Sequence, residues 1–191
     1  MGQTLLNLYP GEFELVVGAG PIGLIHMQVA RAFGAKVIVS DPISARLDKA
    51  KSLGADWVVN PAEQDLGKYV KEVTDGWGTD AAVLTVSSAR LVEQLMPMLA
   101  PGGRLNIFAG IYPKDEIRLD PNLIHYGEFS LTGSADSTQK DMFHALSFIE
   151  NGQVNTLDLI SHLLPLEELG KAMDIVKNQQ GLKVVMKVNG E

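Results

Sequence analysis

VVGAGPIG, Val16 to Gly23, is the stretch on which the fold turns. Within it, Gly18-Ala19-Gly20-Pro21-Ile22-Gly23 fits G-x-G-x-x-G. It follows an apolar run, Phe13 to Val17, and opens a helical pattern. In that setting each glycine has a steric duty. Gly18 permits the tight turn out of a strand, Gly20 lets backbone approach a diphosphate, and Gly23 lets the helix pack close to the sheet. Pro21 falls at the first helical position, where its missing N–H costs little. The N–H groups of Ile22 and Gly23 are then free to face phosphate oxygens, with the positive end of the helix behind them. Asp41 ends the next apolar run, 21 residues after Gly20. A carboxylate there can accept hydrogen bonds from the adenine ribose hydroxyls of a dinucleotide.

Outward from this motif the chain alternates short apolar runs with amphipathic stretches. Strands are expected at Phe13 to Val17, Lys36 to Ser40, Asp56 to Val59, Ala81 to Val86, Arg104 to Ala109 and Phe129 to Thr132. Ile22, Ile25, Val29 and Phe33 share one helical face, as do Leu91, Leu95 and Met98. Gly34 and Gly54 stand where helix C-caps belong. This order implies an α/β, Rossmann-type, doubly wound six-stranded parallel sheet with helices on both faces. After Thr132 the pattern changes. Ser137 to Glu150 reads as a helix, with Thr138 and Asp141 as a capping pair and Asn151-Gly152 as its stop. Pro165 is expected to open a last helix with Leu166, Leu169, Met173 and Val176 on one face, and Leu182 to Val188 a last strand. The expected organisation is a leader or linker remnant (residues 1–12), a dinucleotide-binding domain (13–157), and a short helix-strand appendage (158–191).

Composition narrows the function classes. The 191 residues are 46% hydrophobic, enough for one good core. The net charge of -7 speaks against nucleic acid and anionic membrane as partners. There is no cysteine, which removes disulfides, thiolate zinc ligands and a cysteine nucleophile from these residues. No apolar run is long enough to span a membrane, and Met1 to Glu14 lacks a secretory signal pattern, so a cytoplasmic location is expected.

Beyond the glycine motif, VVGAGPIGLIHMQVARAFGA, VSDPISARLDKAKSLGAD, LAPGGRLNIFAG, LIHYGEFSLTGS and ISHLLPLEEL resemble the zinc-containing medium-chain alcohol and polyol dehydrogenases. The resemblance runs from about Phe13 to Val188, and LIHYGEFSLTGS leans toward the sorbitol, threonine and sugar-phosphate branch. It implies a cofactor, NAD, and an activity, hydride transfer from a secondary alcohol with zinc as Lewis acid. Members of that family are roughly twice this length, and the resemblance places their zinc ligands in a domain preceding the cofactor domain. On this reading the chain carries cofactor residues and no catalytic or metal residue, and acts alone as an inactive part. Carried over from the resemblance, Gly18, Gly20, Pro21, Ile22 and Gly23 form the diphosphate turn, Asp41 binds the ribose and Arg46 lies beside the adenosine. Val86 and Ser87 fall near the adenine side. Ala109, Gly110 and Ile111, with Gly133 and Ser134, surround the nicotinamide. Lys183 reaches the diphosphate. The resemblance also implies a homodimer joined through the edge strand near Phe129 to Thr132, where an unpaired edge is a template for pairing.

Other side chains offer little chemistry. His26, His125, His144 and His162 have no partner at metal-ligand spacing. No Tyr-x-x-x-Lys occurs, which removes the short-chain dehydrogenase mechanism. Ser87-Ser88 lacks a nucleophile elbow, and Glu167-Glu168 suit a helix first turn. Trp57 and Trp77 read as core and loop aromatics. Flavin oxidoreductases and methyltransferases share a glycine loop, but the first need a longer chain and the second lack SARLDKAKSLGAD. A non-catalytic NAD-binding or oligomerisation module on the same fold stays open.

Overall fold

Short β-branched runs, apolar on both sides, make the centre of the fold. A computed structural model describes residues 2–188. Six strands form one parallel sheet: β1 (Phe13–Val17), β2 (Lys36–Ser40), β3 (Trp57–Val59), β4 (Thr79–Leu84), β5 (Leu99–Ile107) and β6 (Ser130–Gly133). Their spatial order is β3-β2-β1-β4-β5-β6, and every neighbouring pair is parallel. The order reverses between β1 and β4. That switch point opens a crevice at the carboxyl ends of the strands, where ligands of such sheets bind. Between the strands lie α2 (Pro21–Ala32), α3 (Ser44–Ser52), α4 (Leu66–Val73), α5 (Ala89–Leu95) and α6 (Pro121–Gly127). One buried cluster, with Val16, Val37, Leu24 and Met27, fills one sheet face. A second, with Leu15, Ile38, Leu84 and Leu105, fills the other. This is the doubly wound sheet that the alternation implied.

Strand limits differ from expectation where sequence signals are weak. β5 begins at Leu99 rather than Arg104, because Thr79 pairs with Leu99 across an irregularity that Gly102 and Gly103 accommodate. β4 ends at Leu84, so Val86 and Ser87 belong to the loop beyond it. Local stops behave as read. Gly34 and Gly54 take left-handed φ of +83° and +100° after α2 and α3, a conformation a Cβ would strain. Thr138 and Asp141 form a reciprocal capping box on α7 (Gln139–Glu150).

Two helical faces lie differently from the simplest expectation. On α2 the sheet-facing residues are Gly23, Leu24, Met27 and Ala30, whereas Ile22, Ile25 and Phe33 are exposed. Small residues let the helix sit close to the strands, and the larger stripe turns outward, where Phe33 meets Phe148 of α7 edge-on. Near the C-terminus, Pro165 ends a strand and also caps the helical turn Leu166–Glu168 that leads into the last helix, as expected. β7 (Ile160–Pro165) pairs in parallel with β8 (Lys183–Lys187), and α8 (Leu169–Lys177) connects them. Ala172 and Ile175 are the buried residues of α8, while Leu166, Leu169, Met173 and Val176 are exposed.

The segment before β1, expected only as a leader or linker remnant, forms α1 (Gly2–Leu6). Leu6 belongs to the first core cluster, and Arg104 of β5 clamps the helix end through Leu6 O (2.8 Å) while pairing with Glu12 (2.6 Å). Gln3 of α1 reaches into the sheet, where its Nε2 donates to Glu14 Oε1 at 2.7 Å.

Candidate cofactor site

The turn between β1 and α2 is built by exclusion of side chains. Gly18 has φ +101°, and a Cβ on it would lie 2.6 Å from Thr85 Oγ1 and 2.7 Å from Val86 Cγ1. A Cβ on Gly23 would overlap the carbonyl oxygen of Gly18. These two glycines are required by the protein itself. Gly20 differs: a Cβ there would meet nothing within 4 Å. The open space lies at the N-terminus of α2, where Gly20 is the cap residue and Pro21 follows. No side chain caps this helix end. Its first amide groups and the positive end of its dipole therefore face the space above Gly20, a setting made for an anion. A dinucleotide diphosphate fits this cradle.

Asp41 closes the turn from the far side. It is only 3% exposed. Oδ2 accepts from Ala19 N at 2.8 Å, and Oδ1 accepts from Ile43 N at 2.8 Å. Arg46 Nη1 stands 3.6 Å from Oδ2. The carboxylate thus ties the glycine turn to the end of β2. Each of its oxygens carries two lone pairs, so acceptor capacity remains for a ribose hydroxyl.

Thr85 is the residue the sequence did not mark. It follows β4, and the register Val17 to Leu84 sets it beside Gly18. Its hydroxyl donates to Val17 O at 2.8 Å, with Gly18 O at 3.2 Å, and so braces the turn. The signal was its place just beyond the fourth strand, readable only once β1 and β4 are known to be neighbours.

Most of the remaining candidates gather at the same strand ends. Ala109 N donates to Leu84 O at 3.1 Å, which holds the start of the loop carrying Gly110 and Ile111 over β4. Ser87 Oγ accepts from Tyr112 N at 2.7 Å, pinning the far end of that loop. Gly133 ends β6, and Ser134 N donates to Ile107 O at 3.2 Å. Lys183 begins β8 of the second sheet and is exposed.

Beneath the site lies a buried polar group. Glu14 of β1 is fully buried, and burial pushes its carboxyl up to about 8 against the opposing pull of Gln3 and Arg104. Gln3 Nε2 also stands 3.1 Å from His26 Nδ1 of α2. Burial holds the His26 imidazole down at about 4. Both groups are therefore neutral near pH 7. Among the described residues no cluster of three or more His, Asp or Glu could hold a metal ion, and no helix is long and apolar enough to cross a membrane.

Known proteins agree with this geometry. The model of the zinc-binding dehydrogenase family matches residues 21–151. The chain is 31% identical over 188 residues to the sorbitol dehydrogenase of Halalkalibacterium halodurans, covering 97% of this chain and 54% of that protein. It is 34% identical over 179 residues to the L-threonine 3-dehydrogenase of Thermococcus kodakarensis, covering 92% and 51%. Among solved structures, an NAD-dependent alcohol dehydrogenase superposes with a TM-score of 0.85 at 30% identity, over 99% of this chain and 55% of that one. The chain thus spans about half the length of the curated relatives it matches. Matched by the family model over residues 21–151 and by such relatives over most of its length, this chain belongs to the zinc-binding dehydrogenase family.

Proposed function

We propose that the chain is the NAD-binding part of a cytoplasmic, zinc-dependent medium-chain dehydrogenase that moves hydride between NAD and a secondary alcohol of the polyol, sugar-phosphate or amino-alcohol kind. The observation that carries this reading is the open space above Gly20, set against an uncapped α2 N-terminus with Asp41 closing the turn. The amides of Ile22 and Gly23 would hold the diphosphate, Asp41 with Arg46 the adenine ribose, and the loops at Val86–Ser87, Ala109–Ile111 and Gly133–Ser134 the two ring systems. NAD, when bound, supplies a hydride acceptor at C4 of its nicotinamide. The protein's share is to orient that ring and keep it in place. The zinc site and the alcohol pocket belong, on this reading, to the half of the relatives that this chain does not span, on which residues 158–191 would pack. The chain by itself is then inactive.

Cofactor choice tests the reading. The 2′-phosphate of NADP would stand against the Asp41 carboxylate. Two like unit charges about 4 Å apart repel by about 4 kcal/mol at an effective dielectric of 20. Arg46, 3.6 Å from that carboxylate, offsets part of this. Wild type is expected to favour NADH over NADPH by about 10²-fold, and Asp41→Ala to weaken NADH and shrink the ratio. Calorimetric titration of both cofactors against both proteins measures it. Equal wild-type affinities, or a ratio unchanged in the variant, would remove Asp41 from this role.

The chain is also proposed to form a homodimer through β6. β6 is the last strand of the six and pairs with β5 on its inner side, so its outer edge offers backbone groups to another copy. Sedimentation at tens of micromolar should show a dimer, and a monomer alone would count against the edge-strand interface.

A further inference from the structure

A doubly wound sheet has two mononucleotide-binding halves, one on each side of the switch point. Asp41 marks the half over β1 and β2. The half over β4 to β6 is organised around a residue that no motif explains. Asn106 stands within β5, a strand whose buried neighbours are apolar, and it is completely buried. A carboxamide in such a strand is costly unless both of its ends are bonded. Here both are. Nδ2 donates to Thr132 Oγ1 at 3.0 Å, and Oδ1 accepts from Ser134 Oγ at 3.0 Å. Thr132 is the cross-strand partner of Asn106, and its own hydroxyl donates onward to Leu105 O at 3.3 Å.

The consequence falls on Ser134. Its backbone N–H is bound to Ile107 O, and its hydroxyl is drawn inward to Asn106. Two bonds to β5, one of them through Asn106, therefore set where the chain leaves β6. That exit is the wall of the crevice on the side away from Asp41. Asn106 itself has no surface there.

We propose that Asn106 is a positioning residue for the nicotinamide half of the cofactor: through Ser134 it fixes the backbone of Gly133 and Ser134 against which that ring is placed. The inference rests on the NAD-binding reading above. It predicts a split between ligands that a merely structural role would not produce. ADP-ribose carries the adenosine and diphosphate but no nicotinamide, so it does not need the β6 exit.

Asn106→Val removes the amide while keeping a branched side chain of similar width. It is expected to weaken NADH about tenfold and leave ADP-ribose within about twofold, both measured by calorimetry. Ser134→Ala removes the same bond from the other end without touching the core, so it decides the matter if the core variant folds poorly. It should weaken NADH in the same direction. The double variant should be no weaker than Asn106→Val alone, because both substitutions delete one interaction. Equal losses for NADH and ADP-ribose, unchanged NADH affinity in Ser134→Ala, or additive losses in the double variant would overturn the inference. Failure of the unmodified chain to bind either ligand would instead overturn the cofactor reading itself.

Discussion

Gly20→Ala is expected to remove NADH binding by about 10² to 10³-fold while leaving the unfolding of the chain unchanged. In the protein alone the new methyl meets no atom within 4 Å, and Gly20 has φ -70° and ψ 179°, which alanine adopts freely. Nothing in the fold resists it. The methyl does fill the space through which a diphosphate must approach the α2 amides. Each hydrogen bond to a charged oxygen contributes about 1.5–3 kcal/mol, and loss of two accounts for the expected drop. Gly23→Ala gives the contrast. Its methyl would overlap Gly18 O, so the turn must open, and the variant should lose about 1–3 kcal/mol of stability as well as the cofactor. Paired NADH fluorescence titrations and urea unfolding curves check both. NADH affinity in Gly20→Ala within a few-fold of wild type would mean that no diphosphate sits there.

The second large effect is on stability against pH. The Glu14 carboxyl ionises at about 8 in the folded chain, against an ordinary 4.5 once exposed. Above 4.5 the unfolded chain has lost this proton and the folded chain keeps it, so stability falls as pH rises and the loss is complete above about 8. His26 acts in the opposite sense. Its ordinary value of 6.5 drops to about 4 on folding, so it stabilises increasingly from pH 4 to pH 6.5 and is constant above. Glu14 is the one of the two still titrating between pH 6.5 and pH 8. At about 1.4 kcal/mol per pH unit, wild type should lose about 2 kcal/mol across that window. Glu14→Gln keeps an acceptor for Gln3 Nε2 and cannot ionise, so its stability should be flat there and should exceed wild type at pH 8. Urea midpoints at the two ends of the window measure the slope. Parallel curves for the two proteins would show that Glu14 is not the titrating group. The same experiment reports on α1, because Gln3 is the group that brings that helix to Glu14.

Short-range rules explain what could be read from the chain directly. The turn at Gly18–Gly23, the left-handed stops at Gly34 and Gly54, and the capping box of Thr138 with Asp141 each depend on a few consecutive residues. Their residue types are nearly forced by backbone geometry. The strand–helix alternation follows from the periods of apolar residues, and with the right-handed crossover it leaves few topologies. The placement of Asp41 after the second strand was legible for the same reason. Its inward bonds to Ala19 and Ile43 were not, because they depend on how two strand ends meet. Contacts between distant residues were hidden throughout. Thr85 braces Gly18 from 67 positions away, Asn106 holds Ser134 from 28, and Arg104 anchors Leu6 from 98. Each looks like an ordinary loop, strand or surface residue until the sheet order makes it a neighbour. The outward turn of Ile22 and Ile25 on α2 has a similar origin, since a helix lying between a sheet and another helix is apolar on two sides and periodicity does not say which side the strands take. The sequence by itself determined the local turns, the element order and the family of the fold, because those rest on steric limits within a few residues. Only the tertiary structure decided which polar side chains brace the strand ends, because a hydrogen bond across the sheet exists only after the strand register has chosen its partners.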